Sequence, residues 1–312
     1  MKHCVNNLWL VKPSNANQGR GIQIFANWER MLAFINNRPG GTSCVVQKYI
    51  ERPLLFKNRK FDIRVWAIAT DRNELYFYRP GYLRTSSNQY SLDNGNLTVH
   101  LTNQCLQVKH KDTYGQHEEG NTLSYDAFQE YLDSEEFRRE RELTIGGPEV
   151  QINVQRDLVP RMKDIVIDTF LSVKNCVNPN HRKNTFELFG YDFMIDEDFR
   201  VWLIEVNTNP YLGQPNKWTK QFVPEMVDEL LQIVLDPIYP PVDKYYQEHR
   251  VKNKNYELIY AEGHITNLDY AVGAAAATGR VNQRRSFAHS LMYPKGIEIQ
   301  QNPNALELKI LR

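Results

Sequence analysis

Three oxygen-bearing side chains stand where strand-patterned runs would otherwise carry apolar ones: Asp192, Glu205 and Asn207. They lie in Phe186 to Leu212, FELFGYDFMIDEDFRVWLIEVNTNPYL, in which Phe189 to Ile195 and Arg200 to Val206 read as strands joined through Asp196-Glu197-Asp198. Side chains two apart on a strand share a face, so Glu205 and Asn207 project together and Asp192 joins them across the ladder. Two carboxylates and an amide oxygen are hard donors that suit Mg²⁺. The competing reading is an acidic strand edge facing solvent. It ranks second because Glu205 is flanked by Val201-Trp202-Leu203-Ile204 and Val206, company in which a carboxylate needs a partner.

Cations that could face such a cage come from earlier in the chain. Alternation over Phe61 to Thr70 puts Lys60, Asp62 and Arg64 on one face of a strand and Phe61, Ile63 and Val65 on the other. A cleft wall and a solvated outer face fit that pattern equally well. Positive donors of this kind stabilise charge spreading over a transferred phosphoryl group. Arg84, in Tyr82-Leu83-Arg84-Thr85-Ser86, is a further cationic candidate. Lys12 leaves a short strand and is followed by Gly19, Arg20, Gly21 and Ile22, where the glycines would let backbone amides approach an anion. No Walker sequence is present, and alone this loop reads as a hairpin connection. Gln47-Lys48-Tyr49-Ile50 ends a strand that could offer backbone groups and an apolar seat to a base. His100, beside Leu101, reads as structural.

The elements that must hold these residues are legible in outline. Strands are expected at Leu8 to Val11, Ile22 to Phe25, Cys44 to Ile50, Glu74 to Tyr78 and Leu97 to Leu101, with helices over Trp28 to Ile35, after Ser124, over Val154 to Val173 and starting at Pro224. The stretch between Asn103 and Thr122 reads as a functional loop, and Gly146-Gly147-Pro148 as a stop. Tyr245 to Arg312, with its Val272 to Gly279 run and the cluster Arg280, Arg284 and Arg285, reads as a peripheral or partly disordered tail.

A chain of 312 residues can bury a sizeable core, in two domains or one large one with lobes, and its 41% hydrophobic and 24% charged content is ordinary for a globular protein. The net charge of +1 gives no case for a nucleic-acid partner, and no apolar run approaches a bilayer span. The cysteines, Cys4, Cys44, Cys105 and Cys176, are scattered without a paired motif, which points to a reducing cytoplasmic setting rather than a disulfide or thiolate-metal framework.

In order along the chain, LWLVKPSNANQGRGI, VVQKYIERPLLFKNRKFDIRVWAIAT, YFYRPGYLRTSS, HLTNQCLQ, YGQHEEGN, FELFGYDFMID and WLIEVNTNP resemble the tubulin tyrosine ligase-like proteins, from about Leu8 to Pro241. The resemblance implies an α+β ATP-grasp fold, with antiparallel sheets flanked by helices and a nucleotide cleft between two lobes. It divides the chain into a lobe with phosphate loop and hinge over 1–56, a metal-bearing lobe over 57–242 and the tail over 243–312. Only Met1 to Asn7 precede the phosphate loop, so the family's N-terminal subdomain is expected to be missing.

Position by position, the resemblance makes Lys12 a phosphate contact under a loop of Gly19, Arg20, Gly21 and Ile22. It makes Gln47, Lys48, Tyr49 and Ile50 the adenine hinge. Lys60 and Asp62 become nucleotide-site residues and Asn103 a neighbour in the same cleft. Lys60, Arg64 and Arg84 become catalytic cations, and Asp192, Glu205 and Asn207 the magnesium ligands. The implied activity is ATP- and Mg²⁺-dependent addition of an amino acid to acidic tubulin tails through an acylphosphate. Glutamate is the expected amino acid. Tyrosine or glycine ligation, a small-molecule ligase, and a noncatalytic tubulin-binding protein are the alternatives. Implied partners are tubulin or microtubules and a free amino acid, without nucleic acid or membrane. The implied setting is cytoplasmic and cytoskeletal, including the cilium or basal body.

Overall fold

The computed structural model describes residues 6–14, 16, 19–38, 43–92, 95–144, 151–243 and 252–262, together with the backbone of strands at 297–302 and 305–310. A small sheet is built first. Strands β1 (Trp9–Pro13), β2 (Gln23–Phe25) and β3 (Cys44–Lys48) are antiparallel in the order β2-β1-β3, with helix α1 (Trp28–Asn36) between the second and third. Asn27 caps α1 by accepting the Arg30 N–H, which answers one of the donors that every helix start leaves unpaired. The chain then passes through β4 (Leu55–Phe56) into β5 (Arg59–Thr70), which turns at Asn73 (φ 58°) into β6 (Leu75–Gln89). The short helices α2 (Leu97–His100) and α3 (Gln104–Gln107), β7 (Thr122–Ser124), α4 (Tyr125–Leu132) and α5 (Glu135–Thr144) follow. After them come a π-turn at Val154–Leu158, helix α6 (Val159–Val177), β8 (Phe186–Ile195), β9 (Val201–Asn207), α7 (Lys217–Val234) and β10 (Tyr256–Tyr260). The strand pair at 297–302 and 305–310, β11 and β12, forms its own antiparallel ladder.

The larger sheet has seven strands in the order β10-β6-β5-β8-β9, with β4 on β5 and β7 on β6. Its centre, β5, is buried on both faces. One face carries Phe61, Ile63, Val65, Ala67 and Ala69 into the main core, closed by α4 and by the Met162, Val166 and Phe170 stripe of α6. On the other face, Trp66 and Ile68 lie under Phe222, Met226 and Leu230 of α7. That helix covers only half of its face. The uncovered half holds Lys60, Asp62 and Arg64, all of them buried.

Several elements depart from the sequence reading. Leu97–His100 is a helical turn and not a strand, because Asn96 caps it through the Thr98 N–H. Helix α7 begins seven residues before Pro224, where Asn216 and Thr219 cap it reciprocally; the proline is carried inside the helix. Pro160 near the start of α6 lacks an N–H, and the backbone ahead of it opens into the π-turn. Part of the stretch read as tail joins the sheet: β10 pairs with β6, and Asn255 is fixed to Glu229 of α7 by bonds of 2.8 and 3.0 Å. Ser124 caps α4 as expected. Gly146-Gly147-Pro148, Val272 to Gly279 and the Arg280, Arg284, Arg285 cluster lie outside the described residues.

Phe128 of α4 is fully buried and meets the Phe61 ring edge-on at 5.1 Å, so it anchors the core face of the strand whose other face carries Lys60 and Asp62. Replacing it by alanine leaves a ring-sized void. Phe128→Ala is expected to lower unfolding free energy by about 3–5 kcal/mol. Equilibrium urea unfolding measures this, and a loss under 1 kcal/mol would show that α4 does not carry the sheet.

Candidate active site

Register across the large sheet assembles the site in rows. Directly paired residues share a face, and Ser124, Tyr82, Arg64, Asp192 and Glu205 form one row running from β7 to β9. Thr122, Arg84 and Asp62 form the next. Gly190 and Asn207 pair on the opposite side of the first row. A Cβ on Gly190 would stand 2.8 Å from the Pro210 Cβ and 3.4 Å from Arg64 Nη1, so glycine there admits both the guanidinium and the turn after β9.

Glu205 reaches this face through a bulge. Asp192 pairs with Glu205 while Phe193 pairs with Leu203, leaving Ile204 as an extra residue. Without it, Glu205 would share the face of Leu203, which packs on the main core. The sequence reading placed Glu205 among apolar neighbours. The structure puts it, exposed, on the edge strand β9, so the embedded environment argued for it is corrected.

The central charges are tightly paired. Arg64 meets Asp192 through Nε at 2.5 Å and Nη2 at 3.0 Å, Arg84 Nη2 lies 2.9 Å from the same carboxylate, and Arg84 Nε lies 2.6 Å from Asp62. Thr102 donates its hydroxyl to Asp62. Burial pushes the Asp192 carboxyl upward, but Arg84 and Arg64 overcome this and hold it at about 2. Burial raises Asp62, against the pull of Arg84.

The amino groups sit differently. Lys60 Nζ donates to the His100 carbonyl at 2.8 Å and to the Tyr49 hydroxyl at 3.0 Å, and lies 4.5 Å from the Tyr49 ring centroid. Burial drives it down to about 7, opposed by Asp62 and reinforced by Lys12. Lys12, on the neighbouring small sheet, is lowered by burial while Glu205 and Asp192 draw it upward. Lys12 therefore lies between the field of Lys60 and that of Glu205 and Asp192. Gly19 and Gly21 have φ of 74° and 71°, and a Cβ on Gly19 would lie 3.5 Å from Leu101 and 3.6 Å from Asn103 Oδ1, so the loop end rests on the α2–α3 segment. Asn103 is half-buried there.

At the hinge the side chains turn from the expected role. Lys48 donates to the Leu8 carbonyl at 2.8 Å and to Glu51 at 2.7 Å, while Glu51 accepts the Asn6 and Leu8 amides. Tyr49 is buried, with its hydroxyl 2.8 Å from His100 Nδ1. Gln47 and Ile50 are half-buried, and Arg20 is exposed. His100 is structural, as expected. Sequence reasoning noted Thr102 only as a polar residue at the end of a strand, without its bond to Asp62, and gave no role to Tyr82, whose signal was its position two before Arg84.

The donor set fits a hard divalent cation. Asp192 and Glu205 oppose each other across the ladder, and Asn207 Nδ2 lies 3.4 Å from Asp192 Oδ2 and 3.5 Å from Glu205 Oε1. Although Glu205 is exposed along its outer side, partial desolvation of its carboxylate and the neighbouring Asp192 raise it, a surplus of negative charge that a cation would relieve. Turning the Asn207 amide would present its oxygen. Among the described residues no three His, Cys, Asp or Glu side chains form a metal cluster, so a cation here would complete its shell with this amide oxygen, water or phosphate.

An antiparallel sheet flanked by helices, with a small three-stranded lobe laid against its uncovered half, is an α+β ATP-grasp arrangement. The profile of the Tubulin-tyrosine ligase family matches residues 2–244, and the chain belongs to that family. It is 36% identical over 263 residues to Tubulin glycylase 3A of Drosophila melanogaster, covering 82% of this chain and 24% of that protein. It is also 36% identical over 238 residues to Tubulin monoglycylase TTLL3 of Homo sapiens (74% and 29%), and 34% over 233 residues to Tubulin glycylase 3B of Tetrahymena thermophila (74% and 18%). The chain thus spans less than a third of the length of each of these relatives. Among the described residues, no helix is long and apolar enough to cross a membrane.

Lys60 gives the site a pH signature. Between about pH 7 and 10 the unfolded chain holds a proton on Lys60 that the folded chain has released, so the cost of burying this group is fully present below about pH 7 and falls as pH rises across that window. Lys60→Met should therefore gain stability relative to the parent protein at pH 6, and that relative gain should be smaller at pH 9. Chemical denaturation at the two pH values reads the difference, and parallel pH dependences in the two proteins would refute it.

Proposed function

We propose that this chain is the catalytic core of an ATP- and Mg²⁺-dependent ligase that joins glycine to glutamate side chains of tubulin tails. One observation carries the reading: Lys12 of the small sheet lies in the field of Glu205 and Asp192 and also of Lys60 from the large sheet, an arrangement that suits a triphosphate and its metal. Glycine replaces the glutamate expected from sequence because the relatives named above bear glycylase names. Glutamate addition has no such support. The lobes over 1–56 and 57–242 supply the two walls.

In this reading Gln47, Lys48, Tyr49 and Ile50 seat the base along β3, with Lys48 and Tyr49 acting through backbone and ring since their polar ends are engaged. Lys12 and Lys60 hold phosphate oxygens beneath the loop of Gly19 to Ile22, with Asp62 and Asn103 on the rim. Asp192, Glu205 and Asn207 would hold Mg²⁺, which neutralises phosphate charge when bound. The γ-phosphoryl group passes to an acceptor carboxylate oxygen and ADP departs. The glycine amine then attacks the acyl carbon, phosphate leaves with the C–O bond's electrons, and the nitrogen gives up a proton. Arg64 and Arg84 orient the anionic reactants and stabilise charge on the transferred oxygens. A protein with this substrate works on the cytoskeleton.

Purified chain, ATP, Mg²⁺ and labelled glycine, glutamate or tyrosine should modify microtubules with glycine alone. Glu205→Gln should lower incorporation about 100-fold or more while unfolding at a similar temperature. Incorporation of glutamate or tyrosine would replace the glycine assignment, and microtubule binding with no incorporation of any of them would leave a noncatalytic binding protein.

A further inference from the structure

The proposed amino acid subsite has an aromatic boundary. Tyr82 stands directly opposite Arg64 across the β5–β6 ladder, on the face that also carries Asp192 and Arg84. Leu83, its neighbour, faces the main core, which fixes Tyr82 on the cleft side. Its ring centroid lies 5.7 Å from that of Trp218 and 6.0 Å from that of Phe222, both in the first turns of α7, and those two rings stack on each other at 4.4 Å. Tyr82 is half-buried at the line where the apolar half of the face, covered by α7, gives way to the charged half. Its hydroxyl lies in the field of Arg64 and Arg84, which ease the rise that burial imposes on it.

The row order sets a direction. From β9 inward the face presents Glu205, Asp192, Arg64 and then Tyr82. An α-amino acid held by its carboxylate at the arginines, with its amine toward the carboxylate and metal end, has little freedom for a Cα substituent on the Tyr82 side. The wall there is backed by stacked rings on a capped helix, and it cannot retreat without repacking Trp218 and Phe222.

We propose that Tyr82, braced by Trp218, is a specificity-determining residue: its ring occupies the space a side chain on the incoming amino acid would need, and so restricts the ligase to glycine. This rests on the glycine-ligase reading above. It goes beyond that reading in assigning the selection to one ring, not to the arginines that all amino acids would share. A methyl group excluded by a packed wall corresponds to roughly 10- to 200-fold discrimination.

The test is competition between labelled glycine and labelled alanine, with modified tubulin tails counted by mass spectrometry. The parent chain should use glycine almost alone. Tyr82→Ala should raise the alanine-to-glycine ratio about tenfold or more, and Tyr82→Phe should keep the parent ratio because the ring remains. Trp218→Leu, which loosens the brace without touching β6, should raise the ratio as well and decides the matter if Tyr82→Ala fails to fold. Glycine incorporation with an unchanged ratio in the folded variants overturns the inference alone, as does an equal rise in Tyr82→Phe. Failure of the parent chain to incorporate glycine removes the glycine-ligase reading and this inference with it.

Discussion

Two arginines and two aspartates are buried together at the centre of this structure, and most of the cleft depends on their mutual neutralisation. Taking Asp62, Arg64, Arg84 and Asp192 out of water costs several kcal/mol per ion unless each finds its counter-charge with good geometry. Here Asp192 receives both guanidiniums and Asp62 receives Arg84 and Thr102, so each ion is answered by strands adjacent in the sheet. A consequence is interdependence: removing Arg84 would leave buried Asp62 without a counter-charge, and removing Arg64 would leave Asp192 to share Arg84 with Asp62. The alternation of β5 supplies such groups only because both its faces are covered, one by α4 and α6, the other by α7 and the small lobe.

The charges left outside that network are the ones least neutralised by the protein itself. Lys12, Lys60 and Glu205 lack a bidentate partner, and each is shifted by burial toward its neutral form. Groups held away from their preferred ionisation are stabilised by an opposite charge brought by a ligand, so phosphates at the lysines and a cation at Glu205 would each relieve an existing cost. Lys60 is held by Tyr49 and the His100 carbonyl, which fixes its nitrogen before any ligand arrives. Preorganisation of this kind is worth more than flexible reach where charge must be stabilised in transit.

Much of the arrangement could be read from the chain before any coordinates. Strand alternation placed Lys60, Asp62 and Arg64 together, and hairpin logic brought Asp192 across from Glu205. The illegible parts share one cause, which is that they depend on local departures from periodicity or on distant partners. The bulge at Ile204 re-aims Glu205 without any glycine or proline to announce it. Lys48 is diverted by Glu51, a carboxylate three residues away that also gathers two amides of the incoming chain. The start of α7 is set by Asn216, whose amide also donates to the Glu119 carbonyl, tying the helix to the loop before β7. Propensity favoured Pro224 as a start; capping chemistry and that tertiary tie prevailed.

The surface proposed to select the amino acid was hidden for the same reason. The cations that would bind its carboxylate sit on strands and follow a repeating pattern, whereas the surface that would sort side chains is made where α7 crosses β6. Tyr82 acquires a role only once Trp218 and Phe222 are stacked against it, and that depends on the helix beginning at Lys217 instead of seven residues later. A capped helix end thereby sets the boundary of the charged face: by placing two aromatic rings at its first turns, it packs Tyr82 beside Arg64 and Arg84.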